Sequence, residues 1–143
     1  MSNIAQSVVP SGHSKPIGRY SPGLSCRMTG SSRMVFVSGQ VATDAQGTVL
    51  SPGDAGGQAE AVFDNIRTVL QAADASLSDL VSVQIFLADV VRDFPAVSAV
   101  RNRVLGEPAP ASVLVEVSRL AEDGCLVEIS GVAIVDDRPG AAR

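Results

Sequence analysis

The run Arg33–Ala42, RMVFVSGQVA, constrains the fold more than any other stretch of the chain. Met34, Val35, Phe36, Val37 and Val41 form an apolar, partly β-branched series without regular polar alternation. That pattern predicts a strand at the centre of a sheet, covered on both faces. It ends in Ser38-Gly39-Gln40, where a glycine lets another group approach the backbone closely. A central strand with a small polar terminus is a suitable edge for a ligand cleft, although it names no ligand.

A chain of 143 residues predicts one domain, long enough to bury about two thirds of its unfolded surface. Aromatic residues make up only 3% of it, so the core must be built from Val, Leu, Ile and Ala. The net charge of −4 argues against a broad electrostatic footprint for nucleic acid or an anionic membrane. No apolar stretch approaches the ~18 residues of a membrane helix, and residues 1–15 lack the apolar segment of a signal peptide. Cys26 and Cys125 are isolated, with no metal-type spacing. Together these features predict a soluble cytoplasmic protein.

Residues 1–15 read as a partly ordered arm carrying the only histidine, His13, in a solvated setting. A Pro/Gly-punctuated segment, Pro16–Gly23, follows and contains the only tyrosine, Tyr20. Leu24–Thr29 reads as a strand that turns through Gly30-Ser31-Ser32 into Arg33–Ala42 as a hairpin. The glycine-rich connection 44–57 lacks the Lys-Ser/Thr pair of a phosphate loop. From Ala55 to Ala73, Ala59, Val62, Phe63, Ile66, Val69, Leu70 and Ala73 fall on one stripe of a helix.

Leu80–Ala88 alternates as a strand. Its helical connection to Arg33–Ala42 predicts direct parallel pairing by a right-handed crossover. Asp93-Phe94-Pro95 reads as the entrance of a second helix, with Val97, Val100 and Val104 buried and Arg101 and Arg103 as solvated charges on other faces. Ser112–Ser118 is the next strand, and Cys125–Val135 is expected to pair back on it antiparallel. The order is β-β-α-β-α-β-β, an α+β domain over residues 16–135 with two helices on one face of a mixed sheet and a frayed tail from 136 to 143. The second sheet face needs a cover, and a symmetric oligomer is the simplest one.

Glu128 stands out within the apolar strand segment Leu126-Val127-Glu128-Ile129. A carboxylate there must reach solvent, a partner or a cleft, because unpaired burial is costly. It is either a strand-edge or interface residue, or a cleft group that orients a water or holds a ligand.

Several segments, in this order and spacing, resemble the RidA family, also called the YjgF or L-PSP endoribonuclease family. They are Arg19-Tyr20-Ser21-Pro22, Val35-Phe36-Val37-Ser38-Gly39-Gln40, Gln58 with Asn65, Phe94, Pro110-Ala111 and Leu126-Val127-Glu128-Ile129. The resemblance spans about Pro16 to Val135. It implies a chorismate-mutase-like fold and a homotrimer with a small-molecule cleft at each subunit interface. It further implies hydrolysis of reactive enamines and imines, such as 2-aminoacrylate, to 2-keto acids and ammonia, without metal or organic cofactor. By the same resemblance Tyr20 lines the cleft, Gly39 brings the backbone to the ligand, Phe94 forms a wall and Glu128 positions the water.

The family's carboxylate-gripping arginine does not carry over, because Pro110-Ala111 is followed by Ser112. Ser98 stands where many members have asparagine. A serine offers one neutral donor in place of a bidentate cation. Losing such a pair in a cleft costs on the order of 2–5 kcal/mol. Hence either the ligand is not the standard 2-imino acid, or another cation takes the role, with Arg19 beside Tyr20 as the candidate. A non-catalytic binding or regulatory trimer is the alternative to a hydrolase. Ribonuclease activity fits poorly with the net negative charge, the single tyrosine and the lone histidine.

Overall fold

The computed structural model describes residues 4–12, 16 and 18–137. His13 and residues 138–143 of the tail lie outside these. The elements run β1 (Ala5–Val8), β2 (Gly23–Cys26), β3 (Ser32–Gln40), α1 (Ala55–Ala72), β4 (Leu80–Leu87), α2 (Val90–Val104), β5 (Ala111–Glu116) and β6 (Val127–Asp136). Strands β3–β6 form one sheet in the order β3-β6-β4-β5, and β1 and β2 form a separate ribbon. The result is an α+β domain with two helices on one face of a mixed sheet.

Helix α1 starts where the Asp54 carboxylate accepts a hydrogen bond from Gly57 N–H at 3.0 Å, a side-chain cap on an otherwise unpaired donor. Its stripe of Ala59, Val62, Phe63, Ile66 and Leu70 is fully buried against Val37, Ile85, Ile129, Ala133 and Val135 of the sheet. Burying large aliphatic side chains is worth roughly 1.5–3 kcal/mol each, so this seam is the main source of cohesion. Gln58 is buried on the same helix. Its Nε2 donates to Gly124 O at 2.9 Å and its Oε1 accepts from Leu126 N–H at 2.7 Å, fastening α1 to the approach to β6.

Strand adjacency departs from the sequence reading in four places. The central strands are β6 and β4; β3 lies at the edge, with Met34 and Phe36 on the uncovered face and Phe36 70% exposed. β6 is inserted between β3 and β4, antiparallel to both, so β3 and β4 do not pair directly. β5 pairs in parallel with β4, and the loop after β5 carries the chain past β4 rather than back along β5. β2 pairs with β1, inside the stretch read as an arm, instead of forming a hairpin with β3.

The second helix also begins earlier than predicted. Asp89 caps it through Arg92 N–H at 3.0 Å, and Asp93 and Pro95 lie within it. On the sheet face away from the helices, Val113 and Val115 of β5 and Met34 and Phe36 of β3 are exposed. Between them Ser130 Oγ donates to Gln84 Oε1 at 2.9 Å, and Gln84 Nε2 donates to Ser82 Oγ at 3.0 Å. Among the described residues no helix is long and apolar enough to cross a membrane.

Candidate active site

One end of β5 opens into a cleft of about 250 Å³, lined by Tyr20, Phe94, Arg101, Ser112, Val113 and Leu114. Three local features build it. The Tyr20-Ser21 segment is tied to the start of β5, since Ser21 N–H donates to Pro110 O at 3.1 Å and Ser21 bridges to Ala111 in parallel. Helix α2 presents Phe94, Ser98 and Arg101 at i, i+4 and i+7, one face of the helix. The small side chain at 112 leaves the space between strand and helix open.

Arg101 is the unexpected member. The sequence predicts a solvated charge, yet Arg101 is only 3% exposed. Its Nη2 donates to Ser98 Oγ at 3.1 Å and its Nε to Asn102 Oδ1 at a longer 3.4 Å. The guanidinium carbon lies 5.7 Å from the centroid of the Tyr20 ring, a cation–π arrangement. Gly18 closes the far side; a Cβ there would overlap Arg101 Nη2, so a larger residue would push the guanidinium aside. Burial pushes the Arg101 guanidinium below the usual arginine range, and Tyr20 works in the opposite direction. An arginine starts so high that it stays charged. The Ser112 hydroxyl is also buried and has no hydrogen-bond partner.

Gly39 and Glu128 meet elsewhere. The β3–β6 register shifts between Val37 and Gln40, a bulge that brings Gly39 over β6. A Cβ at 39 would overlap the Glu128 carboxylate, which accounts for the glycine. Glu128 lies opposite Phe86 of β4, and Phe86 opposite Val115 of β5, so two strand spacings separate Glu128 from the β5 edge. Its carboxylate makes no hydrogen bond or ion pair among the described residues. The neighbouring Cys125 thiol is pushed up, chiefly by burial and further by Glu122 and Glu128, which leaves it protonated and a poor nucleophile.

Of the residues picked from the sequence, Tyr20, Phe94 and Ser112 therefore come together in one cleft. Gly39 and Glu128 form a second group on the uncovered sheet face. Arg19 belongs to neither: its Nη1 engages Glu107 Oε1 at 3.2 Å on the surface, and only its backbone N–H, held by Asn102 Oδ1 at 2.7 Å, helps shape the loop. Arg101 and Gly18 were missed. The available signal was the spacing of Phe94, Ser98 and Arg101 along one helix face.

The L-PSP endoribonuclease family model matches residues 12–135. The chain belongs to this family. It is 38% identical over 119 residues to a RutC family protein of Pyrococcus abyssi, covering 83% of this chain and 88% of the relative. It is 34% identical over 128 residues to the 3-aminoacrylate deaminase RutC of Acinetobacter baylyi, covering 90% and 96%. The Rid-family protein YyfB of Yersinia pestis has the same fold, with a TM-score of 0.81 at 23% identity over 92% of this chain and 98% of that one.

Proposed function

We propose that this RidA-family protein hydrolyses reactive imine or enamine metabolites, in a cleft completed between subunits of a homotrimer. The observation that carries the reading is the division of the site. One chain supplies a cleft with Tyr20, Phe94 and a buried cation but no carboxylate, and separately supplies an unpaired Glu128 beside Gly39 on an uncovered face. The exposed Met34, Phe36, Val113 and Val115 on that face support an association that brings the Gly39–Glu128 edge of one copy to the Tyr20–Phe94 cleft of the next.

The chemistry asks little of such a site. Protonation of an enamine at carbon gives an iminium, which is already electrophilic. Glu128 accepts a proton from water as the water oxygen bonds to the C=N carbon, giving a carbinolamine. The proton returns to nitrogen, the C–N bond breaks as Glu128 takes the hydroxyl proton, and a carbonyl compound and ammonia leave. Tyr20 and Phe94 hold the substrate between them, and placement of the water beside the carbon supplies much of the rate gain. The substrate class is a small enamine or imine; with Ser112 in place of the family arginine, the standard 2-imino acid lacks its usual partner on β5.

The test generates 2-aminoacrylate and 3-aminoacrylate in situ, alongside an imine of a neutral ketone, and follows their decay with and without the protein. Accelerated decay of at least one, reduced roughly 100-fold or more by Glu128→Ala, is the expected result. No acceleration of any at high protein concentration overturns the hydrolase reading in favour of a binding trimer.

A further inference from the structure

We propose that Arg101, presented from helix α2, is a relocated carboxylate-binding cation that takes over the task of the arginine missing at position 112. This rests on the cleft reading above and deepens it: the substrate is a carboxylate-bearing enamine or imine.

A charged guanidinium is seldom fully buried unless an anion faces it, because desolvation is costly. Arg101 is buried, and all 15 Asp and Glu side chains of the chain lie within the described residues. None of them forms an ion pair with it; every acidic partner of an arginine belongs to Arg19, Arg33, Arg67, Arg92 or Arg103. What Arg101 does have are two neutral oxygens and an aromatic ring. These contacts orient the guanidinium without neutralising it, leaving part of its fork of donors for an anion.

The surroundings fit this task. Ser112 lines the same cleft, and its buried hydroxyl has no partner among the described residues, so it is a ready second donor to a carboxylate oxygen. A long side chain at 112 would compete for the space that Arg101 borders. Two departures from the family pattern, Ser98 and Ser112, thus lie around one guanidinium: the first holds it and the second leaves it room. Gly18 completes the seat by passing its backbone close behind Nη2. A purely structural arginine accounts for the contacts to Ser98, Asn102 and Tyr20. It does not account for a buried positive charge beside an unpartnered hydroxyl at the wall of a cavity.

The experiment measures binding of 2-oxobutanoate and of its uncharged amide to the full chain by calorimetry, for the native protein, Arg101→Met, Arg101→Lys and Gly18→Ala. The native protein is expected to prefer the acid. Arg101→Met should weaken acid binding about 30-fold or more and leave the amide unchanged. Arg101→Lys should retain part of the preference, since it keeps the charge but not the fork. Gly18→Ala, which displaces the guanidinium from a surface loop, should reduce the preference even if Arg101→Met fails to fold.

Equal binding of acid and amide by the native protein overturns the proposal. So does undiminished acid preference in whichever of Arg101→Met and Gly18→Ala remains folded. Acid-selective, Arg101-dependent binding without any turnover sustains this inference and overturns the hydrolase reading. Turnover of neutral imines alone, with no acid binding, does the reverse.

Discussion

Two arginines sit in cavities at different places in the molecule, and their surroundings are opposites. Arg33 borders a shallow depression of about 570 Å³ with Asp74, Ser76, Asp79 and Asp137. Its Nε donates to Asp137 Oδ2 at 2.6 Å, and its two terminal nitrogens donate to the carbonyls of Ala73 and Asp74 just beyond α1. Every nitrogen of that guanidinium is engaged within the chain, so the arginine stabilises a helix end and a sheet edge. Arg101 is more deeply buried and has no anionic partner. The guanidinium of the larger cavity is therefore engaged within the chain, whereas that of the smaller one faces no carboxylate. Size is a poorer guide to function here than the electrostatic account of each wall.

Three substitutions sharpen this contrast. Arg101→Met has the largest effect: besides losing acid selectivity, it should lower kcat/KM for carboxylate-bearing enamines by about 30-fold or more, read as decay rates at low substrate. Arg33→Met should cost about 1 kcal/mol in urea unfolding, the worth of hydrogen bonds to helix-terminal carbonyls, and leave turnover intact. Loss of turnover with Arg33→Met would erase the distinction between the two cavities. Arg19→Ala should change neither turnover nor unfolding by more than about 0.5 kcal/mol, because its pair with Glu107 is solvent-exposed.

The elements were legible in the chain, and their neighbours were not. Of the α1 stripe, Ala59, Val62, Phe63, Ile66 and Leu70 repeat at helical spacing and are buried, whereas Val69 and Ala73 are only half-buried. Strand order has no such local signal. Nothing within Val127–Asp136 says that it slots between β3 and β4 rather than returning along β5. The apolar run at β3 looked central because both its faces are apolar, yet in the single chain one of those faces, with Met34 and Phe36, is open. Its composition answers to a surface that the domain alone does not cover.

The site divides the same way. Tyr20, Phe94 and Ser112 line one cleft, and the Ser38-Gly39-Gln40 bulge carries Gly39 to Glu128 outside it. In α2 the apolar spacing of Val97, Val100 and Val104 marks only one face of the helix. The adjacent face through Phe94, Ser98 and Arg101 is equally helical in spacing but mixed in chemistry. The buried arginine at 101 and the serine at 112 lie on different elements, α2 and β5, and meet only as walls of one cleft.

The central claim is that a working cleft combines Arg101 of one copy with Glu128 of another. Mixing two impaired variants tests it directly. On a carboxylate-bearing enamine, Arg101→Met is expected to lose about 30-fold or more and Glu128→Ala roughly 100-fold or more when each is alone. After subunit exchange, verified by native mass spectrometry, an equimolar mixture should regain about a quarter of native activity, the share of clefts that draw both intact halves from different chains. A mixture that exchanges subunits yet stays as inactive as its components would contradict a site divided between copies.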